Sequence, residues 1–325
     1  MPITTADFPH LTDDLQEVFD ETSAVKVAET TGLSLFDVKE TNRQTYDLTL
    51  MHGVAGIREV TPGQDLPKVN TNEGDSITYT QRYFGAIFEV TKAMRMFDLY
   101  DKIMSLPKSL ADDAWDKIDQ SMADVLLYGT SSSYTDVYGG TVSSVGPDAK
   151  VLFYALHDFN VGSRTYSNVI TDGTNSNPAL SREAVVRTRA IAARYRDAAG
   201  LVRPVMLDTL IVSPENEDLA ERIVYSNQIN NSQDNDTNGL KGKINKIIVW
   251  PRLSVRSDGT DTSAYWFLAD SRKVGESLRA LFAERPSLDA PEQVYDSKNW
   301  EYSLDYFYAI GIGHPAYIFG STGVN

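Results

Sequence analysis

A strictly alternating segment near the C-terminus constrains the fold more than any other feature of the chain. From Trp300 to Ile310, large apolar residues occupy every second position. A period of two directs alternate side chains to opposite faces of a strand, so this segment predicts a β-strand with one buried face. Such a strand requires a sheet, and four shorter apolar segments are further candidate strands. They are Val151–Leu156, Met206–Val212, Lys243–Trp250 and Ala264–Ala269.

Two helices are predicted from apolar residues at helical spacing. The first covers about Pro107 to Leu127, because Pro107 suits the first helical turn and a buried stripe follows it. That stripe consists of Leu110, Ala114, Ile118, Met122 and Val125. The second helix covers about Ser181 to Ala199, with Ile191 on its apolar face. Together with the strands, these helices indicate an α+β fold in which sheets and helices are partly segregated.

Residues 51–90 are predicted to contain a long β-hairpin. Its return strand alternates Ile77, Tyr79 and Tyr83 with polar residues, and both of its faces carry much polar surface. A long hairpin with so little core of its own is marginally stable in isolation. We therefore expect it to pack on another surface.

Residues 1–50 are strongly acidic. They contain ten acidic and three basic residues, and so carry −7 of a total net charge of −15. The segment lacks a continuous apolar face, which favours an extended arm with at most short helices and no share in a core. An acidic helical hairpin is the alternative interpretation.

The second predicted helix is basic. Six arginines lie between residues 181 and 203, against Glu183 and Asp197, which gives a net charge of +4. At about 100° per residue, Arg187 and Arg194 form one of two stripes beside the apolar face. These arginines either extend along the edge of a core or form a positive surface that binds an acidic partner.

Composition excludes several classes of protein. The 325 residues contain no cysteine, which excludes disulfides, catalytic thiols and Cys-ligated metal sites. The net charge of −15 excludes a globally basic nucleic-acid binder. The longest apolar runs have six residues, whereas a membrane helix needs about twenty. Since no secretory signal follows Met1, we expect a soluble protein that is made in a cytoplasm.

The motifs of common enzymes are missing. The four histidines lie too far apart in sequence to pair on one element, and the chain has no P-loop or nucleophile elbow. Asp234–Gly239 matches the first half of a calcium-binding loop, but position twelve is Asn245 and not glutamate. We therefore predict no catalytic residue, cofactor or metal ion, and interpret this loop as polar and mobile.

Several short segments are shared with a known family. They are Val151–Phe153 with His157 and Asn160, Ala179–Ser181 with the arginine-rich helix and Asp197–Gly200, Leu210–Pro214, Tyr265–Asp270, and the N-terminal Met1–Phe8. These segments resemble tailed-phage major capsid proteins of the Hong Kong 97 fold, most closely the phage Mu-type head subunit. The specific motifs fall within about residues 150–270, whereas the arm and hairpin match in position and character.

The resemblance implies a domain organisation for the whole chain. Residues 1–50 correspond to an N-terminal arm that reaches a neighbouring subunit, and residues 51–90 to the E-loop, which lies over an adjacent subunit. Residues 91–180 correspond to the first part of the peripheral domain, with its spine helix at about 107–127. Residues 181–270 correspond to the axial domain, and residues 271–325 return to the peripheral domain.

The implied function is that of a major capsid protein, which self-assembles as hexamers and pentamers into an icosahedral shell around double-stranded DNA. The candidate assembly-interface residues are Asp13, Asp14, Glu17, Asp20, Glu21, Lys68, Ile77, Tyr79, Tyr83, Arg187 and Arg194. We expect the acidic arm of one subunit to bind the arginine-rich helix, or another basic surface, of a neighbour. An encapsulin, which is the shell of a cellular compartment, and a soluble hydrolase are the alternatives.

The resemblance also implies partners. The arm begins almost at Met1, which leaves no room for a cleavable scaffolding segment, so we expect a separate scaffolding protein. A portal and a decoration protein are further expected partners. The shell is expected to assemble in the host cytoplasm, to enclose DNA without sequence-specific binding, and to contact no membrane, which locates the protein in the virion capsid.

Overall fold

The computed structural model describes residues 8–51, 59–66, 73–97, 100–159, 164–228 and 237–323. Its helices are α1 (Phe8–Glu29), α2 (Lys92–Met96), α3 (Tyr100–Leu127), α4 (Arg182–Ala192), α5 (Glu217–Tyr225) and α6 (Val274–Ser277). Short 3₁₀ helices lie at Gly32–Ser34, Pro214–Asn216, Pro251–Leu253 and Pro315–Tyr317. None of the helices in these ranges is long and apolar enough to cross a membrane.

The described strands are β1 (Asp37–Glu40), β2 (Thr45–Met51), β3 (Glu73–Thr80), β4 (Arg82–Val90), β5 (Ser133–Thr135), β6 (Thr141–Ser143), β7 (His157–Asp158), β8 (Thr165–Tyr166), β9 (Thr209–Val212), β10 (Lys246–Val249), β11 (Trp266–Ala269), β12 (Leu278–Leu288), β13 (Glu292–Gln293), β14 (Trp300–Ile312) and β15 (Ile318–Ser321). The longest of the described strands are β12 and β14.

The larger sheet has five strands and is built around β14. This strand pairs antiparallel with β12, β4 and the short β13, while β1 extends the sheet in parallel beside β12. Alternation along β14 places four large side chains in the main core: Tyr302, Leu304, Tyr306 and Tyr308. The prediction of a strand with one buried face is therefore confirmed.

The long helix α3 packs against this sheet. The predicted stripe is buried at Ala114, Ile118, Met122 and Val125, and half-buried at Leu110. The predicted start at Pro107 is wrong, because the helix begins at Tyr100 and encloses the proline. Pro107 is buried on the same face as Ile103. This burial helps to offset the roughly 3 kcal/mol that an interior proline costs a helix.

The first fifty residues depart most from expectation. An extended arm without a core is wrong for the described part, because Phe8–Glu29 forms one helix of 22 residues. Leu15 and Phe19 lie one turn apart, are fully buried, and pack with α3 in the main core. A helical hairpin is also wrong, since the segment that follows is β1, paired with β12. The spacing of Leu15 and Phe19 was the available signal, and the surrounding acidic residues obscured it.

The hairpin consists of β2 and β3, which pair antiparallel from Thr45 opposite Thr80 to Met51 opposite Glu73. It therefore begins before the predicted residue 51, and β4 belongs to the five-stranded sheet instead. Alternation could not reveal this boundary, because Gln81 alone separates β3 from β4. Residues 52–58 and 67–72, which include the predicted contact Lys68, lie outside the described residues.

A second core lies on one face of a four-stranded sheet with the order β10-β9-β11-β15, and the other face contributes Ile211 and Phe267 to the main core. Both α4 and α5 contribute to the second core, as does Phe319 of β15. β15 thus lies in this sheet, whereas residues 271–325 are all expected to return to the peripheral domain. α4 is capped by Ser181 and ends at Ala192, so it is shorter than predicted. Ile191 is 40% exposed and does not belong to the buried face.

The predicted strand at Val151–Leu156 is wrong. Leu152 and Phe153 are buried, as an apolar run suggests, but Val151 makes only an isolated bridge to Val145. Phe153 fills a space that two glycines leave open. A Cβ atom at Gly129 or Gly320 would lie 2.5 or 2.7 Å from its ring. An apolar run predicts burial, but periodicity alone does not identify the element that achieves it.

Candidate assembly surfaces

The hairpin β2–β3 is anchored at its base on the outer face of the five-stranded sheet, which is the face turned away from α3. Tyr79 is 6% exposed and donates a hydrogen bond from Oη to the backbone oxygen of Ile312 over 2.7 Å. Its ring lies against Gly311, where any side chain would collide with it. Tyr79 forms a small core with Leu281 and Ala309. Burial raises the pKa of the Tyr79 hydroxyl, which therefore remains a donor.

Two predicted interface residues lie at this anchor. Tyr79 is enclosed by its own subunit, and Ile77 is half-buried and packs against the same small core. Ile77 keeps part of its surface accessible, whereas Tyr79 keeps almost none. Both residues hold the hairpin to the sheet of the subunit from which it projects.

The adjoining part of the outer face, at Tyr83 and Ile87, is exposed to solvent, and we call it the bare part of the outer face. Tyr83 and Ile87 of β4 are 61% and 67% exposed. Tyr83 stacks on Phe307 of β14, with 4.5 Å between the ring centroids. Its Oη lies 3.4 Å from Asp305 Oδ2, and this carboxylate raises the pKa of the Tyr83 hydroxyl. Neighbouring exposed apolar side chains of this kind are typical of a protein interface, and Tyr83 is one of the predicted interface residues.

α1 turns an acidic face away from α3. Its predicted interface residues are exposed at Asp13, Glu17, Asp20 and Glu21, and half-buried at Asp14. On its other side, Lys26 Nζ lies 3.3 Å from Asp116 and 3.8 Å from Asp112 of α3. The helix is thus fixed to its own subunit while its outer carboxylates remain accessible.

The segment after α1 is fixed at Asp119 of α3. Asp119 Oδ1 accepts a hydrogen bond from the backbone N–H of Gly32 over 3.0 Å, and Oδ2 accepts one from Trp250 Nε1 over 3.1 Å. Burial raises the pKa of Asp119, against the smaller lowering effects of these bonds and of Arg252. One carboxylate therefore connects α3, the end of the arm and the segment after β10.

The arginines around α4 divide between two roles. Arg189 donates from Nε to the backbone oxygen of Leu207 over 2.9 Å and from Nη2 to that of Lys243 over 3.2 Å. Arg189 thus lies at the edge of a core, as one interpretation requires. Arg187 and Arg194 are exposed. These two remain available to an acidic partner, as the other interpretation requires.

A buried polar cluster surrounds His157, which is fully enclosed. Its Nδ1 lies 2.6 Å from Asp148 Oδ2, and its Nε2 lies 3.1 Å from Asn168 Oδ1. Asn168 Nδ2 donates to the backbone oxygen of Pro315 over 3.0 Å, which ties this loop to the C-terminal segment. Asn160, the residue paired with His157 in the family signature, lies outside the described residues. The partners Asp148 and Asn168 carry no motif by which sequence reasoning could have found them.

The described residues contain no group of three or more His, Asp or Glu side chains arranged to hold a metal ion. The predicted polar loop falls partly outside them, at residues 234–236. Asn238 is 4% exposed and donates from Nδ2 to the backbone oxygen of Ile223 over 2.8 Å. It therefore closes the end of α5.

Comparison with known proteins gives a family and a fold. A family model described as phage capsid protein matches residues 74–319. No curated protein sequence matches the chain. The capsid of Myoviridae phage XM1 superimposes with a TM-score of 0.52 at 10% identity, over 91% of this chain and 92% of that one. The procapsid of bacteriophage JBD30 superimposes with a TM-score of 0.51 at 14% identity, over 98% of this chain and 76% of that one. The capsid of an empty GTA particle superimposes with a TM-score of 0.52 at 10% identity, over 90% of this chain and 89% of that one.

At these low identities the structural matches concern the fold, and they agree with an α+β architecture of the Hong Kong 97 type. The family model covers well over half of the chain, from β3 to β15. Its span includes most of both cores and the bare part of the outer face. The chain therefore belongs to the phage capsid protein family and is a major capsid protein with the Hong Kong 97 fold.

Proposed function

We propose that this subunit assembles as hexamers and pentamers into an icosahedral shell around double-stranded DNA. The observation that carries the proposal is the bare part of the outer face at Tyr83 and Ile87, beside a hairpin anchored at its base. A neighbour's hairpin laid over this face would remove both side chains from water, which is favourable. The hairpin and the face are two different surfaces, as a ring-forming heterologous contact requires.

The acidic face of α1 provides a second contact in this proposal. Asp13, Glu17, Asp20 and Glu21, with Asp14 beside them, bind a basic surface of a neighbouring subunit. Exposed ion pairs contribute roughly 0–1 kcal/mol each, so they orient the subunits more than they hold them together. The apolar outer face supplies most of the affinity.

The net charge supports the enclosure of DNA without adhesion to it. At −15, the subunit repels phosphate backbones overall. A portal, a separate scaffolding protein and a decoration protein are the partners that the family resemblance implies, with assembly in the host cytoplasm. We also retain the phage Mu type for this subunit, on the strength of the motifs between residues 150 and 270.

The two larger sheets support a proposed division into domains. The peripheral domain combines residues 91–180 with 271–317, and the axial domain combines residues 181–270 with β15. In this division β2 and β3 form the E-loop hairpin after the arm, and β4 belongs to the sheet of the peripheral domain. The placement of β2, β4 and β15 differs from the division expected from sequence.

Electron microscopy of the full chain, expressed alone and with a scaffolding protein from the same phage, tests this function. We expect closed particles whose reconstruction resolves hexamers and pentamers. Discrete monomers under both conditions would contradict the proposal. Particles that enclose a host enzyme would indicate an encapsulin, and substrate turnover by the monomer would indicate a hydrolase.

A further inference from the structure

Both ring nitrogens of His157 face hydrogen-bond acceptors. Nδ1 lies 2.6 Å from Asp148 Oδ2, and Nε2 lies 3.1 Å from Asn168 Oδ1 and 3.2 Å from the backbone oxygen of Leu152. The His157 side chain is fully buried, and that of Asp148 is 6% exposed. A neutral imidazole has one N–H and one lone pair, so in either tautomer it would direct that lone pair at an oxygen atom.

The orientation of the Asn168 amide is fixed by its other partners. The backbone N–H of Tyr154 donates to Oδ1 over 2.9 Å, while Nδ2 donates to the backbone oxygens of Leu152 and Pro315 over 2.6 and 3.0 Å. The reverse orientation would place the amide oxygen against these carbonyl oxygens. Oδ1 is therefore the atom that faces His157, and it can only accept.

Rotation of the His157 ring does not relieve this conflict. Turned over, the ring would place Cδ2 where Nδ1 now lies, 2.6 Å from the Asp148 carboxylate. This distance fits a charge-assisted hydrogen bond but is much shorter than a non-bonded contact of a carbon atom. The observed orientation thus requires a proton at each ring nitrogen.

We propose that His157 and Asp148 hold two protons between them and form a proton-dependent lock in the fold, which we call the histidine lock. One proton lies in the short contact between Nδ1 and Oδ2. The other lies on Nε2, which donates to Leu152 and Asn168. The pair then carries no net charge, which suits its burial. Loss of either proton brings a lone pair against an oxygen atom away from water, so the lock weakens as the pH rises.

Apart from Asp148, aromatic rings surround His157. Tyr166 stacks on it with 5.1 Å between the ring centroids, and Tyr154 meets it edge-on at 6.0 Å. Burial raises the pKa of the Tyr166 hydroxyl well above its ordinary value of 10.0, so this ring carries no charge. Further charged or titratable groups lie behind these tyrosines or along the chain. They are His314, Tyr195 and Asp75 around Tyr166, Lys150 beside Tyr154, and Asp158, which follows His157 and is exposed.

The histidine lock joins parts of the chain that are distant in sequence. Asn168 Nδ2 also lies 3.3 Å from the backbone oxygen of Ile318, where β15 begins, and the backbone oxygen of Asn168 accepts from the N–H of Gly320 over 3.2 Å. His157 thus supports the contact between its own loop and the C-terminal segment. Loss of a proton from the pair loosens this contact.

Asp148→Asn tests the lock in the full chain. The amide Nδ2 can donate to Nδ1 of a neutral His157, while Oδ1 still accepts from the backbone N–H of Lys150, as it does over 3.2 Å in the wild type. This variant therefore needs one proton where the wild type needs two. Asp158→Asn makes the same change of charge at an exposed neighbour and is the matched control.

Nitrogen NMR with labelled histidine measures the protonation directly. At about pH 7.5, where free histidine is mostly neutral, we expect protons on both ring nitrogens of His157 in the wild type and in Asp158→Asn. In Asp148→Asn we expect a proton on Nε2 alone. His157→Gln, or sequential assignment, identifies this ring among the four histidines. Solid-state spectra can be recorded on subunits or on assembled particles, so the result does not depend on the proposed shell function.

Chemical denaturation gives a second measurement. An unfolded chain releases its histidine protons near about pH 6.5, whereas the folded pair retains both of its protons. The stabilising effect of the second proton is therefore full below that pH and is lost above it. We expect the unfolding constant of the wild type, divided by that of Asp148→Asn, to rise about tenfold per pH unit above about pH 6.5.

Three outcomes would overturn the inference. The first is a ring nitrogen of His157 without a proton in the wild type at about pH 7.5, a spectrum that decides the matter even if Asp148→Asn fails to fold. The second is a ratio of unfolding constants that does not change with pH. The third is an equal effect of Asp148→Asn and Asp158→Asn, which would assign the pH dependence to net charge.

Discussion

Trp250 donates its indole N–H to the Asp119 carboxylate over 3.1 Å, and both side chains are buried. The other oxygen of the same carboxylate holds the backbone of Gly32. One side chain of α3 therefore connects this helix to two segments that are distant from it in sequence. This arrangement gives the arm a fixed attachment at its end, whatever a neighbouring subunit does at its acidic face.

Substitution of this carboxylate tests the attachment. Asp119→Ala leaves two buried N–H donors without an acceptor, and each such donor costs about 1–3 kcal/mol. We expect the free energy of unfolding to fall by about 2–5 kcal/mol in urea denaturation. Asp113→Ala, which removes an exposed pair with Lys117, serves as the control and should cost less than about 1 kcal/mol. Equal losses in the two variants would contradict the role of Asp119.

Asp124 gives a prediction for pH dependence. It is fully buried, its Oδ2 has no hydrogen-bond partner, and burial raises its pKa above the ordinary value of 3.8. The folded state therefore binds this proton more tightly than the unfolded state does. Stability from this group is present at low pH and is lost as the pH rises from about 3.8 through the folded pKa.

The variant Asp124→Asn removes this titration while retaining the shape of the side chain. We expect its free energy of unfolding to increase relative to that of wild type as the pH is raised through that range, because wild type alone loses stability there. Chemical denaturation at several pH values measures the difference. A difference that does not change with pH would show that Asp124 has an ordinary pKa in the folded protein.

The hairpin anchor gives a third prediction. Tyr79→Phe removes the hydrogen bond to Ile312 and leaves a buried carbonyl oxygen without this donor. We expect a loss of about 1–2 kcal/mol and faster amide exchange in β2 and β3. Tyr295→Phe changes a hydroxyl on a ring that is 83% exposed, and should alter neither quantity. Unchanged exchange in Tyr79→Phe would show that the apolar contacts alone hold the hairpin.

The bare outer face gives a fourth prediction, which separates assembly from folding. Ile87→Ser affects a side chain that is 67% exposed, so the stability of the isolated subunit should change by less than about 0.5 kcal/mol. The particle yield should fall several-fold, because the neighbour's hairpin loses an apolar contact. Val255→Ser, at a residue that is 47% exposed elsewhere, should leave the yield unchanged. A normal yield from Ile87→Ser would remove this face from the assembly contact.

Strong local periodicity allowed β14 and the stripe of α3 to be predicted from sequence. In both, the apolar spacing continues long enough to identify one buried face without knowledge of the partner. The start of α3 was missed because Ile103 and Pro107 are buried by tertiary contacts that outweigh the helix-breaking tendency of proline. α1 was missed because its core residues, Leu15 and Phe19, are few among many carboxylates.

The candidate surfaces were only partly accessible to sequence reasoning. Charge patterning identified Arg187 and Arg194, and both are exposed. Alternation placed Tyr79 and Tyr83 on one face of a single strand. In the structure, β3 pairs with β2 and β4 pairs with β14, so the pairing partner changes between the two residues. Tyr79 is buried and Tyr83 is exposed. Contacts such as His157 with Asn168 depend on how distant loops meet, which a single sequence does not encode locally.

The near-continuity of β3 and β4 has a mechanical consequence. The hairpin joins the five-stranded sheet through Gln81, and β4 then lies antiparallel to β14 from Tyr308 opposite Arg82 to Trp300 opposite Val90. In the proposed shell, a pull on the hairpin along the direction of β4 would load the inter-strand hydrogen bonds together in shear, instead of peeling them apart one after another. The load would then be shared across the whole length of the strand.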